Sequence, residues 1–231
     1  MPQIYAFKMA WVAFASSISF LVDAILNGVT RTMTDRHAKH FGQRLLEVTQ
    51  TRLEVFHADR LDPTRSYLYM SNHQSMIDIP VMFVAVPHSL RMVAKEILFK
   101  VPFFGSAMRQ AGIIPIDRKN IHRAKGQLEE AKERLKEGLS IWLAPEGTRS
   151  RTLQLLPFKK GGFHVALALG VPIVPVWIQG AGEVMHADSL KVFPGKTVQV
   201  YFGHPIETVL TELPVLMDQV RKSILELEKS R

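Results

Sequence analysis

The segment 72–78 contains a histidine and an aspartate that together could perform acid–base chemistry. It follows the strand-like run 67–70 and reads Asn72-His73-Gln74-Ser75-Met76-Ile77-Asp78. A histidine exchanges protons near neutral pH, and a carboxylate bonded to one ring nitrogen leaves the other nitrogen free to accept a proton. His73 is therefore the candidate general base, and Asp78 is the residue that would orient it. Since no Gly-x-Ser-x-Gly nucleophile turn occurs, the proton is expected to come from the substrate.

The spacing of this pair requires a bend in the chain. Five positions along an ideal helix advance about 140° beyond a full turn, so side chains at this spacing do not share a helix face. His73 and Asp78 can meet only where a strand ends, a short loop follows and a helix begins. Pro80 favours this arrangement because proline is tolerated in the first turn of a helix and not in its middle. A pair at this spacing also arises by chance, so it needs support from other residues.

Two further strand ends carry polar residues suited to binding an anion. The first is the stretch 112–118, which ends in Arg118, and the second is the stretch 144–151, which contains Arg149 and Arg151. Guanidinium groups present paired donors that match phosphate oxygens, and α/β folds bind ligands at the carboxyl ends of their strands. A single arginine is most simply a solvated surface charge, but two clusters at equivalent strand ends favour anion binding.

Glu146, Gly147 and Thr148 complete the second polar cluster. A glutamate inside an arginine-rich turn would hold the arginines in place or bond a substrate hydroxyl. The glycine allows close backbone approach or a positive φ, and the threonine adds a hydroxyl. The pair Lys159 and Lys160, before an apolar helix, could place positive charge near an anion or belong to an ordinary loop. These residues predict a phosphate site that faces the candidate base.

Alternating strand-like and helix-like segments predict the fold that positions these groups. The candidate strands are 53–58, 66–70, 91–94, 112–116, 140–144, 172–178 and 197–203. The candidate helices are 77–86, 103–110, 121–136, 162–169 and 213–228. Short apolar strands are typical of buried parallel sheets, and the alternation indicates an α/β layer fold. We therefore predict an α/β domain over residues 57–231, with a mostly parallel central sheet flanked by helices.

Residues 1–56 are predicted to form a helical hairpin that associates with a membrane. No charged residue lies between Met9 and Val22, the apolar run continues past Asp23 to Val29, and basic residues flank it. The run could span a membrane, which takes about 20 apolar residues, or lie in the headgroup layer. It could also serve as a signal peptide or pack as a buried helix pair. Basic flanks favour attraction to anionic lipid, and interfacial insertion is slightly favoured over spanning.

The composition narrows the possible partners without choosing one. The 231 residues carry a formal net charge of +8, and 47% of them are hydrophobic. A basic surface suits nucleic acid, acidic membranes or phosphorylated metabolites. The chain has no cysteine, which excludes disulfides and cysteine-bound zinc or iron–sulfur sites. This leaves the compartment open, with the cytosol as the first expectation.

Four segments, in order, resemble the motif blocks of glycerolipid acyltransferases, specifically the 1-acylglycerol-3-phosphate (lysophosphatidate) acyltransferases. They are residues 72–78, 112–118, 145–150 and 171–175. The resemblance runs from residue 66 to residue 180. Pro115 and Ala144 stand where the family pattern has aromatic residues, which bears on the shape of the acyl groove and leaves the polar residues unchanged.

The resemblance implies transfer of a fatty acyl chain from acyl-CoA or acyl carrier protein to the free hydroxyl of lysophosphatidate, with no cofactor or metal. His73 would be the general base and Asp78 its orienting partner, and backbone amides near the His73 turn are expected to stabilise the oxyanion. The implied phosphate-binding set is Lys95, Arg118, Glu146, Gly147, Thr148 and Arg149. The expected location is the cytoplasmic face of an inner membrane, with an anionic lipid surface and a lipid acceptor as partners and no nucleic acid.

Two alternatives stay open from the sequence. The same chemistry could act on glycerol-3-phosphate, another lysophospholipid or a lyso-aminolipid. A non-enzymatic basic domain that binds membranes or nucleic acid, with a vestigial site, would explain the net charge. That second alternative leaves the polar clusters at the strand ends without an explanation.

Overall fold

The structure is a computed structural model that describes residues 2–116 and 133–229. The strands are β1 (Arg52–Phe56), β2 (Leu68–Ser71), β3 (Leu90–Lys95), β4 (Ile114–Ile116), β5 (Ser140–Leu143), β6 (Ile173–Gln179) and β7 (Thr197–Phe202). Within the described residues they form one sheet in the order β1-β7-β6-β2-β5-β3-β4. All seven predicted strands are present, each with its ends within two residues of the prediction.

Helices cover both faces of this sheet. They are α1 (Pro2–Asn27), α2 (Arg31–Val48), α3 (Asp78–Ala85), α4 (Phe104–Gln110), α5 (Gly161–Leu169), the short α6 (Ala181–Val184) and α7 (Leu213–Lys229). A 3-10 helix (Glu96–Lys100) follows β3. Most of the predicted helix 121–136, and Arg118 with it, lie outside the described residues.

The polarity of the strands brings the predicted polar clusters to one edge of the sheet. β2 pairs in parallel with β5 and β6, β5 with β3, and β3 with β4. β7 runs antiparallel to β6 and parallel to β1, so the prediction of a mostly parallel α/β sheet is confirmed. Because parallel strands end at the same edge, the segments that follow β2, β3 and β5 lie close together. This edge carries His73, Lys95 and Glu146.

Side chains of the central strands alternate between two apolar layers, as expected for a sheet that is covered on both faces. Tyr69 of β2 and Trp142 of β5 are buried in one layer with Val81 of α3. Leu68 and Ile141, one position earlier on the same strands, are buried in the other layer with residues of α5 and α7. The loop from β2 to α3 therefore begins and ends in the core.

The helical N-terminal unit is shorter than the predicted segment 1–56. β1 lies inside that segment, yet it pairs with β7 along its whole length, so it belongs to the sheet. The helical unit ends with α2 at Val48. Leu53 and Phe56 continue the helical spacing of apolar residues in α2, and this continuity conceals the change from helix to strand in the sequence.

The hairpin of α1 and α2 is fixed to the sheet by packing and by an ion pair to a buried arginine. The Thr30 side chain caps α2 by accepting a hydrogen bond from the backbone N of Met33 at 3.2 Å. An ion pair of 2.7 Å joins Asp35 of α2 to the buried Arg91 of β3. Gly42 lets α2 approach α3 closely, since a Cβ atom there would lie 2.8 Å from a backbone oxygen of α3. The hairpin is thus an integral layer of the molecule.

Candidate active site

His73 and Asp78 meet across the loop that joins β2 to α3. β2 ends at Ser71 and α3 begins at Asp78, so the chain bends between the two residues as their spacing requires. The Nδ1 atom of His73 lies 2.6 Å from the Oδ2 atom of Asp78. The His73 side chain is 18% exposed and the Asp78 side chain 1% exposed. The pair therefore joins a ring that solvent can reach to a buried carboxylate in the first turn of a helix, where negative charge is favoured.

One oxygen of Asp78 holds both the ring and the loop backbone. Besides the His73 ring, Oδ2 accepts hydrogen bonds from the backbone N of Gln74 at 2.8 Å and of Ser75 at 2.9 Å. Because Nδ1 of His73 donates to this carboxylate, the basic nitrogen is Nε2. This tautomer and this orientation are what a general base requires.

Glu146 reaches His73 from the other side, out of the turn that follows β5. Its carboxylate is buried. Oε1 accepts a hydrogen bond from the backbone N of His73 at 2.8 Å, and Oε2 accepts one from the backbone N of Leu156 at 2.8 Å. Burial raises the pKa of the Glu146 carboxyl, and these two hydrogen bonds oppose the rise. Both carboxylate oxygens, expected to face arginines or an acceptor, are thus engaged by the backbone.

The amides of the His73 turn are already used by the two carboxylates. The backbone N of His73 donates to Glu146, while those of Gln74 and Ser75 donate to Asp78. The expectation that amides near His73 stabilise an oxyanion is therefore wrong for these three groups, because each has a carboxylate acceptor. The amide donors of this turn therefore hold the base in place.

Two residues to which the sequence analysis assigned no role hold this loop in place. The side-chain amide of buried Asn72 accepts from the backbone N of Ile178 at 2.7 Å and donates to the backbone O of Ile178 at 2.9 Å. The hydroxyl of buried Ser75 donates to the backbone O of Met185 at 2.6 Å. Polar side chains that are buried need such partners. The sequence carried one signal for this role, which is the position of both polar residues between an apolar strand and an apolar helix.

The described members of the expected phosphate-binding set lie at the same edge of the sheet. Lys95 is exposed at the end of β3, and the turn after β5 presents a half-buried Arg149 and an exposed Thr148. The neighbouring Arg151 is instead paired at the surface, with its Nε atom 2.7 Å from Asp188. Arg118, the remaining member of the set, lies outside the described residues.

The turn at Gly147 brings a further basic residue to this cluster. Gly147 has a φ of +72°, and a Cβ atom there would lie 3.3 Å from Cγ of Lys159. The backbone N of Lys159 also donates to the backbone O of Pro145 at 2.7 Å. The stem of this lysine therefore packs against the turn. Lys159 therefore joins the candidate cationic set. From the sequence alone, this lysine could belong to an anion site or to an ordinary loop.

An apolar cavity of about 140 Å³ lies between the helical hairpin and the sheet. Its walls include Phe20 of α1, Phe41 of α2, Ile79 and Phe83 of α3, and Met108 of α4. The helix that carries Asp78 is thus one wall of an apolar space. The molecule therefore has a mostly apolar cavity in addition to the polar histidine site.

Comparison with known proteins points to the acyltransferases. A family model described as "Acyltransferase" matches residues 52–179. The human 1-acyl-sn-glycerol-3-phosphate acyltransferase alpha is 33% identical over 232 residues, which cover 96% of this chain and 80% of the human protein. The chloroplastic 1-acyl-sn-glycerol-3-phosphate acyltransferase of Brassica napus is 35% identical over 159 residues, which cover 69% of this chain and 45% of that protein.

A solved structure is similar over the whole molecule. The crystal structure of the 1-acyl-sn-glycerophosphate (LPA) acyltransferase from Thermotoga maritima matches with a TM-score of 0.85 at 26% identity, covering 100% of this chain and 95% of that chain. The chain shares its mostly parallel α/β fold with this solved acyltransferase, and it belongs to the acyltransferase family. The relatives are O-acyltransferases by name, so the predicted enzyme class is confirmed.

Proposed function

We propose that this chain transfers a fatty acyl group from acyl-CoA or acyl carrier protein to the free hydroxyl of lysophosphatidate, giving phosphatidate. Relatives at 33% and 35% identity are named 1-acyl-sn-glycerol-3-phosphate acyltransferases, and that acceptor is lysophosphatidate. The observation that carries the proposal is the 2.6 Å hydrogen bond between His73 and Asp78. It prepares a base at the sheet edge that also holds the candidate cationic residues.

In this proposal the transfer is direct. Nε2 of His73 removes the proton of the acceptor hydroxyl while that oxygen attacks the carbonyl carbon of the thioester. The carbon–sulfur bond then breaks, and the leaving thiolate takes the proton from the imidazolium. Asp78 holds the ring and stabilises the imidazolium between the two proton transfers. The attacking hydroxyl belongs to the lipid, so the enzyme needs neither a covalent intermediate nor a metal.

The acceptor phosphate would bind the cationic turn after β5. Replacing Arg149 by alanine is expected to raise KM for lysophosphatidate roughly ten- to hundredfold with a smaller change in kcat, because a charge-assisted hydrogen bond contributes about 1.5–3 kcal/mol. Steady-state kinetics with a fixed, saturating donor measure this effect. Arg151→Ala is the matched control, since Arg151 is paired with Asp188. An unchanged KM in Arg149→Ala, or an equal rise in the control, would remove Arg149 from the site.

We also propose that α1 lies in one leaflet of an anionic membrane at its cytoplasmic face. Among the described residues, Ile4–Asn27 is the helix that is long and apolar enough to cross a membrane. Met9, Val12 and Phe20 on this helix are buried against the rest of the protein, which favours a helix lying along the domain over one that projects through a bilayer. Its outer face exposes the large apolar residues Ile4, Phe7, Trp11, Phe14, Val22, Ile25 and Leu26.

The loop after β3 extends this apolar face toward the active site. Ile97, Val101 and Phe103 are exposed there, and the ring of Phe103 contacts the ring of Phe14 at a centroid distance of 5.9 Å. Exposed Lys100 adds positive charge beside the apolar surface, which suits anionic lipid. Since β3 and β2 end at the same edge of the sheet, a membrane on this face would adjoin the entrance to the histidine site.

Replacing Phe7 and Trp11 together by glutamate is expected to release the protein from anionic phospholipid vesicles. Burial of a large apolar side chain contributes about 1.5–3 kcal/mol, so the two account for roughly a hundredfold or more in partitioning. Cosedimentation with vesicles measures the bound fraction. Leu210→Glu is the control, because Leu210 is fully exposed outside this face. Retained binding by the double variant would contradict the proposed anchor.

A further inference from the structure

Glu146 is placed where it can control the backbone of His73. One carboxylate oxygen accepts from the backbone N of His73 and the other from the backbone N of Leu156, both at 2.8 Å. The side chain is buried. A single carboxylate therefore joins the loop after β2 to the far end of the loop after β5.

The same loop also holds the other side of the His73 residue. The backbone N of Ser150 donates to the backbone O of His73 at 2.7 Å. The N–H and the C=O of His73 are thus both bonded to the segment that Glu146 begins, while the His73 ring is bonded to Asp78 at 2.6 Å. The backbone and the ring of the candidate base are held by different parts of the fold.

We propose that Glu146 is a positioning residue, whose buried carboxylate fixes the backbone of His73, and that it does not bind the acceptor. The inference rests on the proposed function of His73 as general base. It differs from the role in acceptor binding that the motif of residues 145–150 implies.

A carboxylate is needed at this position because it has to accept from two separate amides. A glutamine has a single acceptor oxygen, and its NH2 group would face one of the two backbone N–H groups. An aspartate is one methylene shorter and cannot span the same gap. Burial raises the pKa of the Glu146 carboxyl. Burial thus disfavours the ionised carboxylate, and the two hydrogen bonds stabilise it. A side chain that binds substrate would instead turn an oxygen toward the open site.

Movement of the His73 backbone would act on the rate of the chemical step. A displacement of about 1 Å in a catalytic group can reduce the rate by about a hundredfold. Because Glu146 does not contact the acceptor in this proposal, its replacement should leave the binding of lysophosphatidate unchanged. Positioning and acceptor binding therefore predict opposite effects on kcat and KM.

The test compares Glu146→Gln with Glu207→Gln, whose carboxylate is 56% exposed and forms a surface ion pair with Arg65. We expect Glu146→Gln to lower kcat about a hundredfold, to change KM for lysophosphatidate less than about threefold, and to shift the backbone amide resonance of His73 in protein labelled with ¹⁵N-histidine. Glu207→Gln should match the wild type in all three measurements. Thermal unfolding reports whether each variant is folded. If Glu146→Gln does not fold, Glu146→Asp serves in its place, with the same direction of effect.

Three results would overturn the inference. They are a KM that rises tenfold or more with kcat retained, full activity, and a fall in kcat with an unmoved His73 amide. His73→Ala in the same assay separates this inference from the proposed function. If His73→Ala is active, the base itself is wrong; if His73→Ala is inactive while Glu146→Gln changes only KM, the positioning role alone is wrong.

Discussion

Replacement of His73 by alanine is expected to reduce kcat by about 10²–10⁴-fold, which is the usual contribution of a general base. The physical reason is that Nε2 of His73 is the proton acceptor that the hydrogen bond of Nδ1 to Asp78 leaves free. Without it, the lipid hydroxyl would have to attack the thioester with its proton in place. Initial rates of thiol release in the presence of lysophosphatidate measure the effect.

His164→Ala is the matched control for this variant. His164 is exposed on α5, so its loss should leave the rate and the thermal unfolding transition unchanged. The His73 variant should unfold at nearly the wild-type temperature, because its side chain is partly exposed and the hydrogen bonds of its backbone are retained. A folded His73→Ala protein with more than a tenth of the wild-type rate would show that His73 is not the base.

Replacement of Asp78 by asparagine is expected to lower kcat by about 10²–10⁴-fold while the fold is retained. Oδ2 of Asp78 accepts from the His73 ring and from the amides of Gln74 and Ser75. A neutral amide oxygen accepts these hydrogen bonds more weakly and does not stabilise the imidazolium, and the NH2 group can donate to Nδ1 and impose the wrong tautomer. Steady-state kinetics at saturating acceptor measure the loss.

Asparagine is the informative substitution because alanine would leave two buried backbone N–H groups without an acceptor, at about 1–3 kcal/mol each. Asp188→Asn is the control, since this aspartate is 54% exposed and its pairing with Arg151 lies at the surface. A kcat for Asp78→Asn equal to that of the control would mean that the charge of Asp78 has no part in the reaction.

The strand pattern and the polar strand ends were readable in the sequence because they rest on local physics. Short apolar runs with turn residues between them predicted all seven strands, and parallel pairing then placed His73, Lys95 and Glu146 at one edge. Pro80 and the five-residue spacing predicted the bend between His73 and Asp78. The antiparallel pairing of β7 with β6 could not be predicted from these local patterns, because the packing of the whole chain decides the direction of pairing.

The partners of Glu146 could not be predicted from side-chain patterns. They are backbone amides at His73 and Leu156, and every residue except proline carries such an amide. The sequence therefore indicated a glutamate near arginines, while the structure shows it bonded to the loop of the base. The orientation of α1 along the domain could not be predicted from the sequence either. Its apolar length fits both a spanning helix and an interfacial helix. The burial of Met9, Val12 and Phe20 favours the interfacial one.

The central claim is that the lipid hydroxyl, activated by His73, attacks the thioester directly. The measurement that tests it is pre-steady-state thiol release from an acyl-CoA donor by the purified protein on vesicles, with and without lysophosphatidate. We predict thiol release and phosphatidate formation in equal amounts when lysophosphatidate is present, and no burst when it is omitted. A burst of one thiol per enzyme without acceptor, or no phosphatidate with either acyl-CoA or acyl carrier protein as donor, would contradict the account.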